Sequence, residues 1–360
     1  MKEFIVTKQD AGQRCTKYLL RLMPNAGTGF LYKMLRKKNI TLNHKRAEGN
    51  EILKADDIIT VFFSDETFRT MSGQTGAAQT EEVPVFAKHP VPEENIVYED
   101  DNFLVIYKPS GILSQTDSSG DEALNEQALQ YLANRADVTA ESLRKYKPGI
   151  CNRLDRNTAG IVFFAKTLQG SRGMAQALRE RLFEKYYFAY VIGKPKRSYD
   201  VKVYLSKNEE TNTVTISREA VGTDCMPVHT GIEPVVSNDR ITLVRIRLYT
   251  GKSHQIRSVL QYIGFPVLGD PKYHSDDRQV TGYYQSHYHI HGQQLFAYAY
   301  RFPDQVPEGL EELAGETITG LVPDCFSDIL NNEFEPSKKG DCYGYLEIPG
   351  PSGIPSGGNH

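Results

Sequence analysis

The sequence predicts an α+β fold built in more than one domain, and three observations carry that expectation. At 360 residues the chain is long enough for two or three domains. From residue 96 onward, β-prone runs alternate with helical stretches and short polar turns, which implies a mixed, largely antiparallel sheet flanked by helices. A polar, aperiodic segment at 69–91, R-T-M-S-G-Q-T-G-A-A-Q-T-E-E-V-P and onward, separates an N-terminal module from the rest and reads as a flexible linker.

Composition narrows the class of molecule. Hydrophobic residues at 39% and charged residues at 24% are ordinary for a soluble protein. No apolar run approaches the roughly 18 residues that span a bilayer. The opening M-K-E-F-I-V-T-K-Q-D has an acid and no apolar signal core, so the expected location is cytoplasmic, away from membranes. Five scattered cysteines without a C-x-x-C pattern fit neither a disulfide framework nor a zinc site. Net charge is −3, but residues 1–63 hold 12 Lys and Arg against 6 Asp and Glu. That is +6 on the N-terminal module and −9 on the remainder, which points to nucleic-acid affinity concentrated at the N-terminal end.

Taken in order, residues 12–24 predict a short helix stopped by Pro24, and F-L-Y-K-M-L-R-K-K-N predicts a second, with Leu31, Met34 and Leu35 at helical spacing. Its basic end, Arg36, Lys37 and Lys38, suits the helix dipole. Together with Arg14, Lys17, Arg21, Lys45 and Arg46, it also forms a candidate phosphate-contacting face. A strand at Ile40–Asn43, a turn at His44–Lys45 and a strand I-I-T-V-F-F complete the module. This helix–helix–strand–turn–strand order resembles the small alpha-L, S-four-like RNA-binding domain, here placed at residues 1–68.

The second domain, 92–334, opens with two β-runs around an acidic turn, Ile96–Tyr98 and Phe103–Tyr107, followed by K-P-S-G and a helix near 122–134. Then comes I-C-N-R-L-D-R-N-T-A-G-I-V-F-F-A-K-T, an acid between two arginines on a polar turn lifted by an apolar strand. Flanking cations favour the ionised carboxylate of Asp155. On its own, however, R-L-D-R is as well read as a surface salt bridge. Next come an amphipathic helix at 168–183, a strand K-Y-Y-F-A-Y-V-I-G with Tyr187 and Tyr186 on opposite faces, and strands at Val201–Leu205, Val214–Ser217 and Ile241–Leu248. In L-Y-T-G-K-S-H-Q-I-R-S-V-L-Q-Y-I-G-F-P, Ile256, Val259, Leu260 and Ile263 mark a packed helix ended by Gly264, with His254 and Arg257 on one face. The run H-Y-H-I-H at 287–291 predicts a His-rich edge strand. No carboxylate or Cys stands at ligand spacing, so no metal centre is expected. A Gly/Pro/Ser-rich tail, 335–360, is expected to be disordered.

Three of these blocks, in order, carry a resemblance. R-L-D-R-N-T-A-G-I-V-F-F-A-K, K-x-Y-x-A-x-V-x-G at 185–193 and T-G-K-S-H-Q-I-R…G-F-P-V-L-G-D-x-x-Y at 250–273 resemble the signature blocks of the RluA-type pseudouridine synthases. The entry hairpin with K-P-S-G resembles theirs too. The resemblance implies the pseudouridine synthase fold over about 92–302 and an enzyme that isomerises uridine in RNA without a cofactor. The base would be detached from its ribose, rotated and rejoined through a carbon. It implies Asp155 as the catalytic carboxylate, Tyr187 as the aromatic that stacks on the base and assists its deprotonation, and Arg257 as the cation paired with Asp155. Arg153 would fill the space left by a flipped base, with Arg156 and His254 as further RNA contacts alongside Arg14, Lys17, Arg36, Lys37 and Lys38. Attack on the sugar, attack on the base and ribose deprotonation through a glycal-like intermediate all remain open. Three departures stand out: Asn152 in place of a usual His, Ala159 in place of Ser, and Lys252 in place of a frequent Arg.

The expected partner is RNA, above all large-subunit ribosomal RNA, with the chain acting as a monomer. Transfer RNA is the alternative substrate. Outside that chemistry, an inactive RNA-binding assembly factor would require damage at Asp155, Tyr187 or Arg257, and a two-carboxylate hydrolase would require a second acid at a partner motif.

Overall fold

A strand not foreseen from the sequence, β1 (Lys2–Ile5), begins the computed structural model. The structure describes residues 1–7, 10–73, 83–208, 213–220, 225–274, 278–336 and 343–350. Helices α1 (Cys15–Leu22) and α2 (Thr28–Arg36) follow, each burying its leucines. Next come β2 (Ile40–Leu42), β3 (Lys45–Arg46) and β4 (Ile58–Val61). Asn43 and His44 both take positive φ, the geometry of a two-residue hairpin loop joining β2 to β3. The four strands pair in the order β1-β4-β2-β3. Leu19, Met23, Leu31, Leu35, Ile40 and Ile59 fill the core beneath them.

Helix α3 (Asp65–Ser72) occupies the start of the stretch read as linker. Its signals were present: Ser64 caps the Thr67 N–H, Asp65 and Glu66 sit in the first turn, and Gly73 closes it at φ +76°. Residues 74–82 lie outside the described residues. Beyond them Ala87 and Val91 are buried, so the chain is anchored at those two points, while residues 84, 85, 88 and 89 are exposed.

By contact the chain divides into two units. One comprises Met1–Lys88, Leu129–Pro148 and Thr167–Gln169, and the other His89–Ala128, Gly149–Lys166 and Gly170–His360. The elements after α3 are β5 (Ile96–Glu99), β6 (Phe103–Lys108), α4 (Leu124–Asn134), α5 (Ala140–Lys145), β7 (Gly149–Ile150), β8 (Ala159–Ala165), α6 (Leu168–Glu180) and β9 (Glu184–Ile192). Then come β10 (Tyr199–Asn208), β11 (Thr213–Ser217), β12 (Met226–Ser237), β13 (Ile241–Leu248), α7 (Gln255–Tyr262), α8 (Arg278–Tyr288), β14 (Leu295–Arg301), β15 (Thr317–Thr319) and α9 (Asp324–Glu333).

The larger unit is organised on one sheet, ordered β11-β10-β12-β13-β9-β14-β8-β6-β5, with β15 on β14 and β7 on β8. Among the described strands the β14–β8 pair is parallel and the others are antiparallel. This is the α+β class expected. β12 escaped the sequence reading because Pro227, Gly231 and Pro234 interrupt it, and the ladder absorbs them with a bulge at Pro234–Val236.

One expectation fails outright, and another is qualified. H-Y-H-I-H is not a strand: His287 lies in the last turn of α8, His289 takes φ +52°, and Ile290 is buried between exposed histidines. The aromatic spacing of α8 explains this, since Tyr284 is fully buried and Tyr288 packs beside it on the core cluster. Nor is the tail uniformly free of structure. Residues 343–346 form a short 3-10 turn whose Leu346 is buried in that same cluster, while 337–342 and 351–360 lie outside the described residues.

Candidate active site

Asp155 sits in the loop that leads into β8, and the shape of that loop is fixed from beneath. Lys108, at the end of β6, is fully buried, and its ammonium donates to the carbonyls of Pro109 (2.9 Å), Ile112 (2.8 Å) and Arg156 (2.9 Å). Burial pushes this amine down to about 7, with Asp155 pulling the other way. Three carbonyl acceptors that an ammonium satisfies together favour keeping the proton on it. Ser114 adds a reciprocal clasp, donating to the Leu154 carbonyl at 2.9 Å and accepting from its N–H at 3.0 Å. At the base of the loop Gly160 adopts φ +122°, and a Cβ there would meet the Ala297 carbonyl oxygen at 2.2 Å. Only glycine lets β8 lie this close to β14.

The Asp155 carboxylate is half-buried, and its Oδ2 accepts from Arg257 Nη1 at 2.9 Å. Arg257 is held in turn by a residue the sequence reading overlooked. Asp270 takes Nε at 2.6 Å and Nη2 at 2.8 Å, a bidentate fork, and accepts the Lys272 and Tyr273 N–H groups as well. Burial alone would raise the Asp270 carboxyl, but hydrogen bonds and charge from Arg257 hold it below the ordinary 3.8. For Arg257, burial opposes the charge, and the two carboxylates outweigh it. The visible hint was the G-D-x-x-Y end of the third block, which reads locally as a turn. Asp270 is thus a second acid near Asp155, but it is spent on Arg257 and buried.

Helix α7 carries Arg257 on a rigid base. Phe265 N–H to Leu260 O and Gly264 N–H to Gln261 O close its end in a Schellman motif, with Gly264 at φ +86°. His254 precedes the helix at φ +57°, with Nδ1 2.9 Å from the Tyr273 hydroxyl and Nε2 4.0 Å from Asp155 Oδ2. Burial is the main cause lowering its pKa from 6.5, so the ring is neutral at pH 7.

Tyr187, on β9, is buried, with its hydroxyl 3.5 Å from that of Tyr300 on β14. Tyr300 also accepts from Asn152 Nδ2 at 3.1 Å, and Asn152 further bonds the Ile161 carbonyl and the Phe163 N–H. Asn152, which stands where the resembled family has His, therefore ties β8 to a tyrosine pair. Burial first, then Tyr300 and Asp155, raise the Tyr187 phenol well above 10.

Asp155, Tyr187, Arg257, His254 and Arg153 line one cavity of about 830 Å³, within the size range of ligand pockets. The other predicted contacts lie elsewhere. Arg156 turns to Asp121 (2.5 Å) and Ser119, leaving the pocket to Arg153. Arg14, Lys17, Arg36, Lys37 and Lys38 are exposed on the first unit. Arg21 is committed to Asp10 (3.1 Å) and to the Lys145 carbonyl, and so drops out of the expected basic face.

Comparison with known proteins bears on the chemistry. A family model described as RNA pseudouridylate synthase matches residues 102–262. The ribosomal large subunit pseudouridine synthase C of Rickettsia bellii is 30% identical over 275 residues, spanning 76% of this chain and 86% of its own length. The protein of that name from Vibrio vulnificus is 30% identical over 283 residues, spanning 77% and 81%. Among solved structures, human RNA pseudouridylate synthase domain containing 4 covers 71% of this chain and 95% of its own, with a TM-score of 0.50 at 19% identity, a likeness of fold.

Proposed function

The chain belongs to the RNA pseudouridine synthase family, and from that premise we propose that its substrate is large-subunit ribosomal RNA, with Asp155, Tyr187 and Arg257 as the reacting site. The relatives' names support the substrate. The observation that carries the site is the Asp155–Arg257–Asp270 chain, which anchors one oxygen of the Asp155 carboxylate at 2.9 Å where that residue lines the pocket. A carboxylate held this way is presented in a fixed orientation, so little reorganisation is needed when it meets the ribose or base.

A uridine inside a helix cannot reach such a pocket, so it is flipped out at a cost of a few kcal/mol. Stacking on Tyr187 returns about 1–3 kcal/mol of that. With its phenol held protonated, Tyr187 serves as ring face and hydrogen-bond donor rather than as a free base. Arg153, exposed at the pocket rim, takes the place the base vacates. The exposed cations of the N-terminal module add phosphate contacts of the counterion-releasing kind.

Incubation with transcribed ribosomal and transfer RNAs, followed by chemical mapping of pseudouridine, tests the substrate. Product in large-subunit RNA is expected, and product confined to transfer RNA would overturn the choice. Asp155→Asn should form no product while still binding RNA; substantial turnover by this variant would sink the assignment.

A further inference from the structure

The cations of the pocket are not equivalent. Arg257 is neutralised by two carboxylates and Arg156 has turned away to Asp121. Lys185 is different. It lies on β9 two residues before Tyr187, so both side chains leave the same face, about 7 Å apart along the strand. Its ammonium reaches the loop after β13, 3.5 Å from where a Cβ on Gly251 would stand. It is only partly exposed, it lines the cavity, and among the described residues no hydrogen bond or ion pair satisfies it. Glu184, its neighbour in sequence, is engaged on the opposite face by Tyr186, Arg247 and Arg301. A half-buried, unpaired cation is unfavourable unless an anion arrives from outside.

We propose that Lys185 is a phosphodiester-binding residue inside the pocket, taking a backbone phosphate of the nucleotide whose base lies on Tyr187. The position of that base rests on the pseudouridine synthase reading; the need for an anion does not. Two strand positions separate aromatic from ammonium, the scale on which a nucleotide's phosphate stands off from its base. Lys252, on the same loop as Gly251, lines the same cavity and gives the anion a second positive neighbour.

The free enzyme should therefore bind RNA with a pH dependence of its own. Burial, then repulsion by Arg181 from the turn before β9, pushes the Lys185 amine down to about 8. Sharing the cavity with it are the phenols of Tyr187 and Tyr300, both held protonated, neutral His254, and Asp117 from the segment after β6. Arg153 and Asp155 come from the loop before β8, and Lys207 from β10. Above pH 8 the unliganded amine loses its charge, so the phosphate contact weakens by the cost of reprotonating it on binding.

The test is the salt dependence of binding of a labelled single-stranded oligouridylate to the full chain, by polarisation, at pH 7 and pH 9. Lys185→Met should lower the slope of log affinity against log salt by about 0.7 at pH 7, one single-strand phosphate contact. Lys185→Arg should restore the slope and keep its affinity at pH 9, where wild-type affinity falls toward that of Lys185→Met. The arginine variant also controls for titration of the RNA itself. A wild-type slope in Lys185→Met, or a slope lost equally in Lys185→Arg, would overturn the subsite. Pseudouridine formed in ribosomal RNA without any slope change sinks the subsite alone. The full slope pattern without pseudouridine in any RNA leaves the phosphate subsite standing and removes the substrate reading.

Discussion

Asn152 shows how one substitution is absorbed. In place of the His of the resembled signature, its amide links the Ile161 carbonyl, the Phe163 N–H and the Tyr300 hydroxyl. Tyr300 in turn reaches the hydroxyl of Tyr187. Tyr300→Phe keeps the ring against Phe163 and Phe183 but removes both polar contacts. At about 1 kcal/mol, turnover should fall about fivefold with little change in melting temperature, measured by single-turnover kinetics and calorimetry. Lys108→Met should be harsher, because three carbonyls lose their donor inside the fold. A stability loss of about 3 kcal/mol is expected, read from urea denaturation. Neither role was legible in the sequence: K-P-S-G reads as a turn, and only three dimensions bring Arg156 O, 48 residues on, to the same ammonium.

At the scale of elements, the site is a junction of β8, β9 and α7 held by an acid that belongs to none of them. The periodic residues of α7 were readable because its apolar stripe packs on the core. Asp270 was not, since a single Asp between Gly and Pro is ordinary turn chemistry and its partner lies 13 residues back. Asp270→Asn should cost about 3–5 kcal/mol by leaving Arg257 half-paired in a buried setting. Because the folded carboxyl is held below 3.8, its contribution is complete above that value and is lost as pH falls beneath it. Acid titration of stability should therefore fall more steeply below pH 3.8 for the wild type than for the variant. Gly160→Ala, forced against the Ala297 carbonyl, should destabilise the β8–β14 contact by about 3 kcal/mol in thermal denaturation.

For the whole molecule, charge asymmetry was the most legible global property. The basic N-terminal residues Arg36, Lys37 and Lys38 remain exposed in the fold. Replacing these three by alanine should lower the RNA salt slope by about 2–3, measured by filter binding across salt concentrations. An unchanged slope would place binding in the larger unit. What sequence missed at this scale were elements with weak local signals: β12 with its prolines, and α8 with its aromatic face. Their structure is decided by neighbours in the sheet and core rather than by their own propensities.

Tyr190 lies three residues beyond Tyr187 on β9 and stacks on Phe326 of α9 at 4.1 Å, with its hydroxyl bonded to the Phe326 carbonyl. The strand that presents the pocket aromatic is thus braced from behind by a helix near the C-terminus. Lesions in that brace would loosen the strand before they abolish it. Phe326→Ala should therefore give a temperature-sensitive allele, competent in cool cells and lost on warming, although it maps downstream of every pocket residue in the gene.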